Sequence, residues 1–138
     1  MDDERVRVIQ FIEENRTSLE ISTVVYEEEE FRMEDFDHFQ FVQIINGESN
    51  QVSMGGPGSN LFRHLGIVQI DILGIPKQGT GLLRSAADQW RKLFRQQQLT
   101  TSTGDVITFN EASVRPAGRD NGRPRFIVSI PYYRDEIG

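Results

Sequence analysis

Hydrophobic and polar residues alternate along residues 66–76 and then recur at helical spacing along residues 81–94. Val68, Ile70 and Ile72 fall on one face of a predicted strand, while Gln69 and Asp71 fall on the other. The apolar positions of the following helix form one stripe, made of Leu83, Ala86, Ala87, Trp90, Leu93 and Phe94. We therefore expect this strand and this helix to pack on each other, and the pattern requires no catalytic side chain.

The rest of the chain divides into further short elements. A first helix is predicted over residues 3–15, and extended segments are predicted at residues 21–26, 39–45, 106–109, 112–116 and 126–133. Asn46-Gly47 is expected to end the second of these segments before a mobile loop over about residues 47–60. Asp120-Asn121-Gly122 predicts a hairpin between the last two. This order predicts a single α+β domain over residues 1–138, with a mainly antiparallel or mixed β-sheet and two helices packed on it.

Bulk composition narrows the classes of function. The chain contains no cysteine, which excludes disulfides, a thiolate nucleophile and cysteine-ligated metals. Its net charge of −6 argues against nucleic-acid recognition, because affinity for phosphates depends on Lys and Arg. No segment has the apolar length needed to span a bilayer, and the first residues lack the apolar core of a signal peptide, so we expect neither membrane association nor export.

Charge is distributed unevenly along the chain. Residues 1–38 hold thirteen acids against four arginines, whereas residues 77–134 hold ten basic residues against four acids. One interpretation is self-assembly, in which arginines near the late hairpin of one copy meet carboxylates of another copy. The other is pairing within one monomer, or simple solvation. The candidate residues for a self-assembly interface are Glu27, Glu28, Glu29, Glu30, Arg115, Arg119, Arg123 and Arg125.

Candidate chemistry is weak in this sequence. Gly79-Thr80-Gly81 precedes a helix and allows a phosphate-binding interpretation, but it lacks the Lys-Ser/Thr ending of a nucleotide loop, and a helix cap at Thr80 explains it as well. His38 and His64 are not accompanied by a nucleophile motif, and the acidic run lacks the ligand spacing of a calcium loop. We expect no enzymatic activity, no cofactor and no metal.

Several motifs together resemble a known family. They are Gly66-Ile-Val-Gln-Ile-Asp-Ile leading into Gly74-Ile-Pro-Lys-Gln-Gly-Thr-Gly81, the helix with Ala86-Ala87-Asp88 and Leu93-Phe94, Ile107-Thr108-Phe109, Ser113-Val114-Arg115-Pro116, Asp120-Asn121-Gly122 and Val128-Ser129-Ile130-Pro131-Tyr132. Over about residues 60–136 the chain resembles the tail terminator (tail completion) proteins of tailed bacteriophages, of the lambda type.

The resemblance implies a structural virion protein of the phage tail, assembled in the host cytoplasm. Such proteins form a ring, usually a hexamer, that stops growth of the tail tube and offers a surface to the head–tail connector or neck protein. The expected partners are therefore further copies of the chain, the tail tube protein and a connector protein. Two alternatives remain, namely another neck or head-completion protein and, in a different class, a small phosphate-ligand-binding enzyme that uses the Gly79–Gly81 turn.

Overall fold

The computed structural model describes residues 2–21, 23–27, 32, 37–51, 61–75, 80–120 and 122–137. In chain order the helices and strands are α1 (Asp2–Asn15), a 3-10 turn (Arg16–Ser18), β1 (Val24–Tyr26), β2 (Phe39–Gln51), β3 (Leu61–Leu73), α2 (Gly81–Phe94), β4 (Gln98–Thr100), β5 (Val106–Phe109), β6 (Ser113–Asp120) and β7 (Arg123–Ile137). This content confirms the predicted α+β class. No helix in the described ranges is long and apolar enough to cross a membrane.

The described strands form one mixed sheet around a long central pair. Their order is β1-β2-β3-β7-β5-β4, and β6 also pairs with β7. β1 lies parallel to β2, whereas every other pair in this sheet is antiparallel. β7 is 15 residues long, so β6 pairs with its first half and β5 with its second half. β7, the last of the described strands, is therefore the centre of the sheet.

Both helices cover the same face of the sheet, which we call the helix face. Val68, Ile70 and Ile72 of β3 have no exposed surface there, as the alternation of the sequence predicts. Four residues of β7 alternate onto the same core, namely Phe126, Val128, Ile130 and Tyr132. The ring of Phe94 on α2 lies 5.2 Å from that of Phe11 on α1, so the two helices meet above the sheet.

A buried polar relay fixes α2 to the sheet. Nε1 of Trp90 donates a hydrogen bond to Oε1 of Gln40 over 2.5 Å, and Nε2 of Gln40 donates to the carbonyl of Ile21 over 2.7 Å. Trp90 and Gln40 are both almost fully buried. Because each polar atom in this relay has a partner, the relay avoids the cost of burying an unpaired donor or acceptor.

Two local predictions were wrong. Asn46-Gly47 does not end β2, which continues to Gln51 through a shift of register against β3 between Asn46 and Ser49. The partner strand extends to Leu61, and this long-range pairing outweighs the local turn propensity, so only residues 52–60 of the predicted loop lie outside the described residues. Thr80 does occupy the N-cap position of α2, but its side chain makes no capping hydrogen bond.

The predicted late hairpin is confirmed. Asp120 pairs with Arg123 across the two-residue loop, and Gly122 has a φ of 78°. That backbone conformation favours glycine, which explains why Asp-Asn-Gly was a reliable signal.

Candidate functional site

The late hairpin of β6 and β7 carries the four arginines that the sequence singled out. Arg115 and Arg119 on β6 are exposed. Nη1 of Arg119 donates a hydrogen bond to the carbonyl of Gly122 over 3.1 Å. Within the described part of the chain, neither of these two arginines has a carboxylate partner. Both are therefore available to an acidic group outside the described residues, including one on another molecule.

Arg123 acts inside the fold instead. Its Nη1 donates hydrogen bonds to the carbonyl oxygens of Asp37, over 2.6 Å, and Gly74, over 3.0 Å. Its guanidinium also lies 5.5 Å from the centroid of the Phe39 ring, and the residue is only 7% exposed. Arg123 joins the chain segments before β2 and after β3 to the start of β7.

Arg125 is likewise engaged within the chain. Its Nη2 lies 2.6 Å from Oδ2 of Asp71, while Gln69 donates a hydrogen bond to the other carboxylate oxygen over 3.1 Å. Asp71 is buried although it lies on the sheet face opposite the helices, which we call the outer face. The alternation of the sequence correctly places Gln69 and Asp71 on the face opposite the core, but it does not show this internal ion pair.

Only the first residue of the predicted acidic site is described. Oε1 of Glu27 lies 3.3 Å from Nε of Arg5 on α1, so this carboxylate has a partner in its own chain. Glu28, Glu29 and Glu30 lie outside the described residues. The structure thus places Arg115 and Arg119 at an exposed position and does not bring them together with Glu27.

An exposed apolar surface lies on the outer face. We define the apolar patch as Ile45, Leu65, Ile67 and Pro131, from three adjacent strands. Ile45 is 44% exposed, Leu65 40% and Ile67 39%, and Ile45, Ile67 and Pro131 face one another in register. These residues border a cavity of about 340 Å³ whose remaining lining includes Gly47, Gly66, Asn110 and Tyr132. Contiguous exposed aliphatic side chains of this kind commonly mark contact sites between proteins.

Sequence analysis missed the apolar patch, although a signal was present. Leu65 and Ile67 precede Gln69 and Asp71 in the same row, so the outer row changes from apolar to polar along β3. A single strand cannot show whether neighbouring strands extend such a row. Ile45 and Pro131 complete the patch only because the register places them beside Ile67.

A cluster of acids lies at the other end of β7, around Arg134. Nε of Arg134 is 3.2 Å from Glu4 on α1, and Nη1 is 2.7 Å from Asp105 and 3.0 Å from Glu136. We call these four residues the acidic cluster, because three carboxylates surround one guanidinium. The hydrogen bond from Arg134 lowers the pKa of Glu136 below its ordinary value. The Glu136 side chain remains 45% exposed.

The acidic cluster also affects the pKa of Arg134 and of its neighbour Tyr132. Burial alone would lower the pKa of Arg134, but hydrogen bonds to Glu136, Asp105 and Glu4 raise it. Burial raises the pKa of Tyr132 as well, and the charge of Glu4 acts in the same direction. At neutral pH Arg134 is therefore charged and Tyr132 is a neutral hydroxyl.

The two ends of β7 consequently differ in charge. Arg115, Arg119, Arg123 and Arg125 surround its beginning, whereas Arg134 with three carboxylates surrounds its end. The acid-rich beginning of the sequence contributes Glu4 to this far end. The apolar patch lies between the two ends on the outer face.

The other candidate groups do not assemble into a chemical site within the described residues. Nε2 of His64 lies 3.5 Å from Glu136, while His38 is half-buried next to the start of β2. In those ranges no group of three or more potential metal ligands occurs. Of the proposed glycine turn, Gly79 lies outside the described residues and Gly81 begins α2.

Comparison with known proteins finds the same fold in solved structures and identifies no function. No family model matches the chain, and no curated protein matches its sequence. Eleven chains of solved structures do match, so the fold recurs in other proteins. One of them, whose name states no activity, covers 99% of this chain and 96% of its own, with a TM-score of 0.75 and 12% sequence identity. At this identity the chain shares a fold with that protein, and nothing more is established.

Proposed function

We propose that this chain is a structural virion protein that caps the end of a phage tail tube as a ring, most simply a hexamer. In this role it stops tube polymerisation and provides the surface to which the head–tail connector joins. The proposal rests on the resemblance of residues 60–136 to tail terminator proteins and on the surfaces that the fold exposes.

The observation that carries the proposal is the apolar patch. Ile45, Leu65 and Ile67 are each at least 39% exposed on a sheet face that the helices do not cover. Exposing three adjacent aliphatic side chains is unfavourable in an isolated molecule, and burying them against a partner recovers hydrophobic free energy. A protein whose role is to contact copies of itself and a tube subunit needs such a surface.

The capping mechanism in this proposal is geometric. A ring of identical chains binds the last layer of tube subunits through one surface and presents a different surface outward. Because the outward surface does not match a tube subunit, the tube stops growing there. The same surface then receives the connector protein.

Contacts between chains would use side chains rather than addition of a strand to β6. The exposed edge of β6 contains Pro116, which has no N–H, together with Arg115, Arg119 and a shift of register between Pro116 and Arg119. Proline, charge and irregular register each hinder edge-to-edge strand pairing.

The direct test is assembly of the tail tube protein encoded in the same genome, followed by electron microscopy of tube length. We expect a substoichiometric amount of this chain to shorten the tubes and to appear at one tube end. Ile67→Glu should lose this effect because it places a charge in the apolar patch, whereas Val6→Glu on the exposed side of α1, where Val6 is 52% exposed, should retain it. Tubes of unchanged length with the wild-type chain would refute the proposed function.

A further inference from the structure

Resting on the proposed function, we infer that the chain, before it meets a tail tube, covers its apolar patch with the patch of a second copy. The two copies form a closed two-fold dimer in which their outer faces lie against each other. The two-fold axis runs between β3 and β7, parallel to these strands. The dimer and the tube end then compete for one surface, so dimerisation holds the free chain in a state that does not cap.

The residues of this contact all lie on one face of the sheet. Val68 and Ile70 of β3 and Val128 and Ile130 of β7 are fully buried in the core beneath the helices. Because side chains alternate along a strand, the odd-numbered residues of both strands lie on the outer face. The β3–β7 register runs without a shift from residue 61 to residue 73, so this alternation holds along the whole pair. Four of the cross-strand pairs on the outer face, in order along β3, are Arg63–Asp135, Leu65–Tyr133, Ile67–Pro131 and Gln69–Ser129.

These cross-strand pairs make the outer face complementary to itself. A two-fold axis between β3 and β7 places each β3 residue of one copy over the β7 residue with which it already pairs in its own chain. Leu65 then meets Tyr133 of the second copy, and Ile67 meets Pro131 of the second copy. Apolar side chains therefore face apolar side chains, and the exposed surface of the apolar patch leaves water on both copies.

The charges at the two ends of the outer face follow the same symmetry. At one end Nε of Arg63 on β3 lies 2.8 Å from Oδ1 of Asp135 on β7. At the other end Oδ2 of Asp71 on β3 lies 2.6 Å from Nη2 of Arg125 on β7. Each strand carries one cation and one anion, and the two-fold axis brings opposite charges of the two copies together at both ends. Because every one of these charges is already paired within its own chain, the charges select the orientation of the dimer and add little to its affinity.

The size of the surface predicts a weak and reversible dimer. The strand length from Arg63 to Asp71 and the width of β2, β3, β7 and β5 give a contact of about 500 Å² per copy. Stable complexes bury about 800 Å² per partner. The cavity of about 340 Å³ on the outer face gives room for side chains of the second copy. We therefore expect a dissociation constant of about 10–100 μM, weak enough for a tube end to displace the second copy.

Position 67 tests the two-fold symmetry directly, with no tube protein present. Ile67 lies beside the axis, so it is only about 5 Å, one strand spacing, to the side of Ile67 of the second copy. Ile67→Glu and Ile67→Lys should each remain monomeric in native mass spectrometry, because each variant brings two like charges into the contact. An equimolar mixture of the two variants should recover a 1:1 heterodimer, because a glutamate then meets a lysine. A contact between two different surfaces would not give this recovery.

The wild-type chain should be mostly dimeric at about 1 mM and mostly monomeric at about 1 μM. Val6→Glu and Val6→Lys are the matched controls, because they place the same charges on α1 at a residue that is 52% exposed. Both should dimerise like the wild-type chain. Circular dichroism checks that every variant is folded. If a charge at position 67 prevents folding, Leu65→Ser replaces it and should weaken the dimer at least about tenfold through the lost apolar burial.

A wild-type chain that stays monomeric up to about 1 mM would overturn the inference. A mixture of folded Ile67→Glu and Ile67→Lys chains that forms no heterodimer would overturn it as well. The tube assay gives a separate result. A dimer that behaves as described, in a chain without effect on tube length, would refute the capping role alone. Shortened tubes from a chain that never dimerises would refute the dimer alone.

Discussion

Gly66 shows how one residue without a side chain organises the centre of the sheet. It lies opposite Tyr132, whose ring passes over it and whose hydroxyl donates a 3.4 Å hydrogen bond to Oδ1 of Asn46 on the next strand. A Cβ atom at residue 66 would overlap the Tyr132 ring. Glycine is therefore required here by the close approach of an aromatic side chain, and not by its backbone conformation.

We expect Gly66→Ala to destabilise the protein by about 1–3 kcal/mol, the usual cost of overpacking. The matched change Gly81→Ala meets no atom within 4 Å and lies at the start of α2. It should be neutral or stabilise the protein by up to about 1 kcal/mol. Urea unfolding of the three proteins measures both effects, and equal stabilities for wild-type and Gly66→Ala would contradict the proposed close packing.

Single residues also show which structural roles can be predicted from the sequence and which cannot. The buried positions Val68, Ile70 and Ile72 were predicted because alternation is a local pattern. The roles of Arg123 and Arg125 were not, because their partners Asp37 and Asp71 lie 86 and 54 residues away in the chain. Of the predicted interface arginines, only Arg115 and Arg119 are left exposed without a carboxylate partner in the described part of the chain.

At the scale of elements, α1 is held by an ion pair that joins the two ends of the chain. Glu4 and Arg134 are separated by 130 residues, and both side chains are nearly buried. Asp105, in the turn between β4 and β5, forms an ion pair with the same guanidinium. Breaking one partner of a buried pair leaves the other charge uncompensated, so this cluster ties three elements together.

The acidic cluster predicts how stability depends on pH. Arg134 lowers the pKa of Glu136 in the folded state, so its carboxylate contributes stability above its ordinary pKa of about 4.5, and that contribution is lost as the pH falls through the lower folded value. We expect Glu136→Gln to be less stable than wild-type at pH 7 and the difference to vanish at low pH. Thermal unfolding measured across this range tests the sign.

The control for this titration is Glu14→Gln. In the wild-type chain the Glu14 side chain is 66% exposed, and its Oε1 lies 4.0 Å from Nη1 of Arg7. It should change stability little at any pH, since exposed pairs contribute little. A Glu136→Gln variant whose deficit grew as the pH fell would show that Arg134 does not stabilise the charged carboxylate.

Element boundaries were harder to predict than the elements themselves. Both helices and the strand pattern of β3, β5 and β7 follow from local periodicity, whereas the full length of β2 depends on its partner. Asn46-Gly47 favours a turn in isolation, but pairing of residues 49–51 with β3 extends the strand beyond it. Local propensity was therefore overruled by hydrogen bonds between strands that are distant in sequence.

At the scale of the whole molecule, charge differs between the two ends of β7 and predicts a salt effect on assembly. If Arg115 and Arg119 meet carboxylates of a neighbouring copy, salt should weaken the contact, because exposed charges are screened. Two exposed ion pairs together contribute up to about 2 kcal/mol. We therefore expect roughly tenfold weaker self-association in about 1 M salt than at low ionic strength.

Sedimentation velocity at a series of salt concentrations measures this effect. Arg115→Lys keeps the charge and should preserve the salt dependence, whereas Arg115→Ala should reduce it. Association that strengthens steadily with salt would mean that burial of the apolar patch acts without any contribution from the arginines.

The position of β7 has a consequence for synthesis of the chain. Residues 123–137 are made after β3, β5 and β6, yet they form the strand on which all three depend for hydrogen bonds. While the ribosome is still adding these residues, the earlier strands lack their shared neighbour and α1 lacks the guanidinium that holds Glu4. The sheet therefore cannot be completed before this region is translated, so a chain cut short before residue 123 lacks the strand that joins β3, β5 and β6.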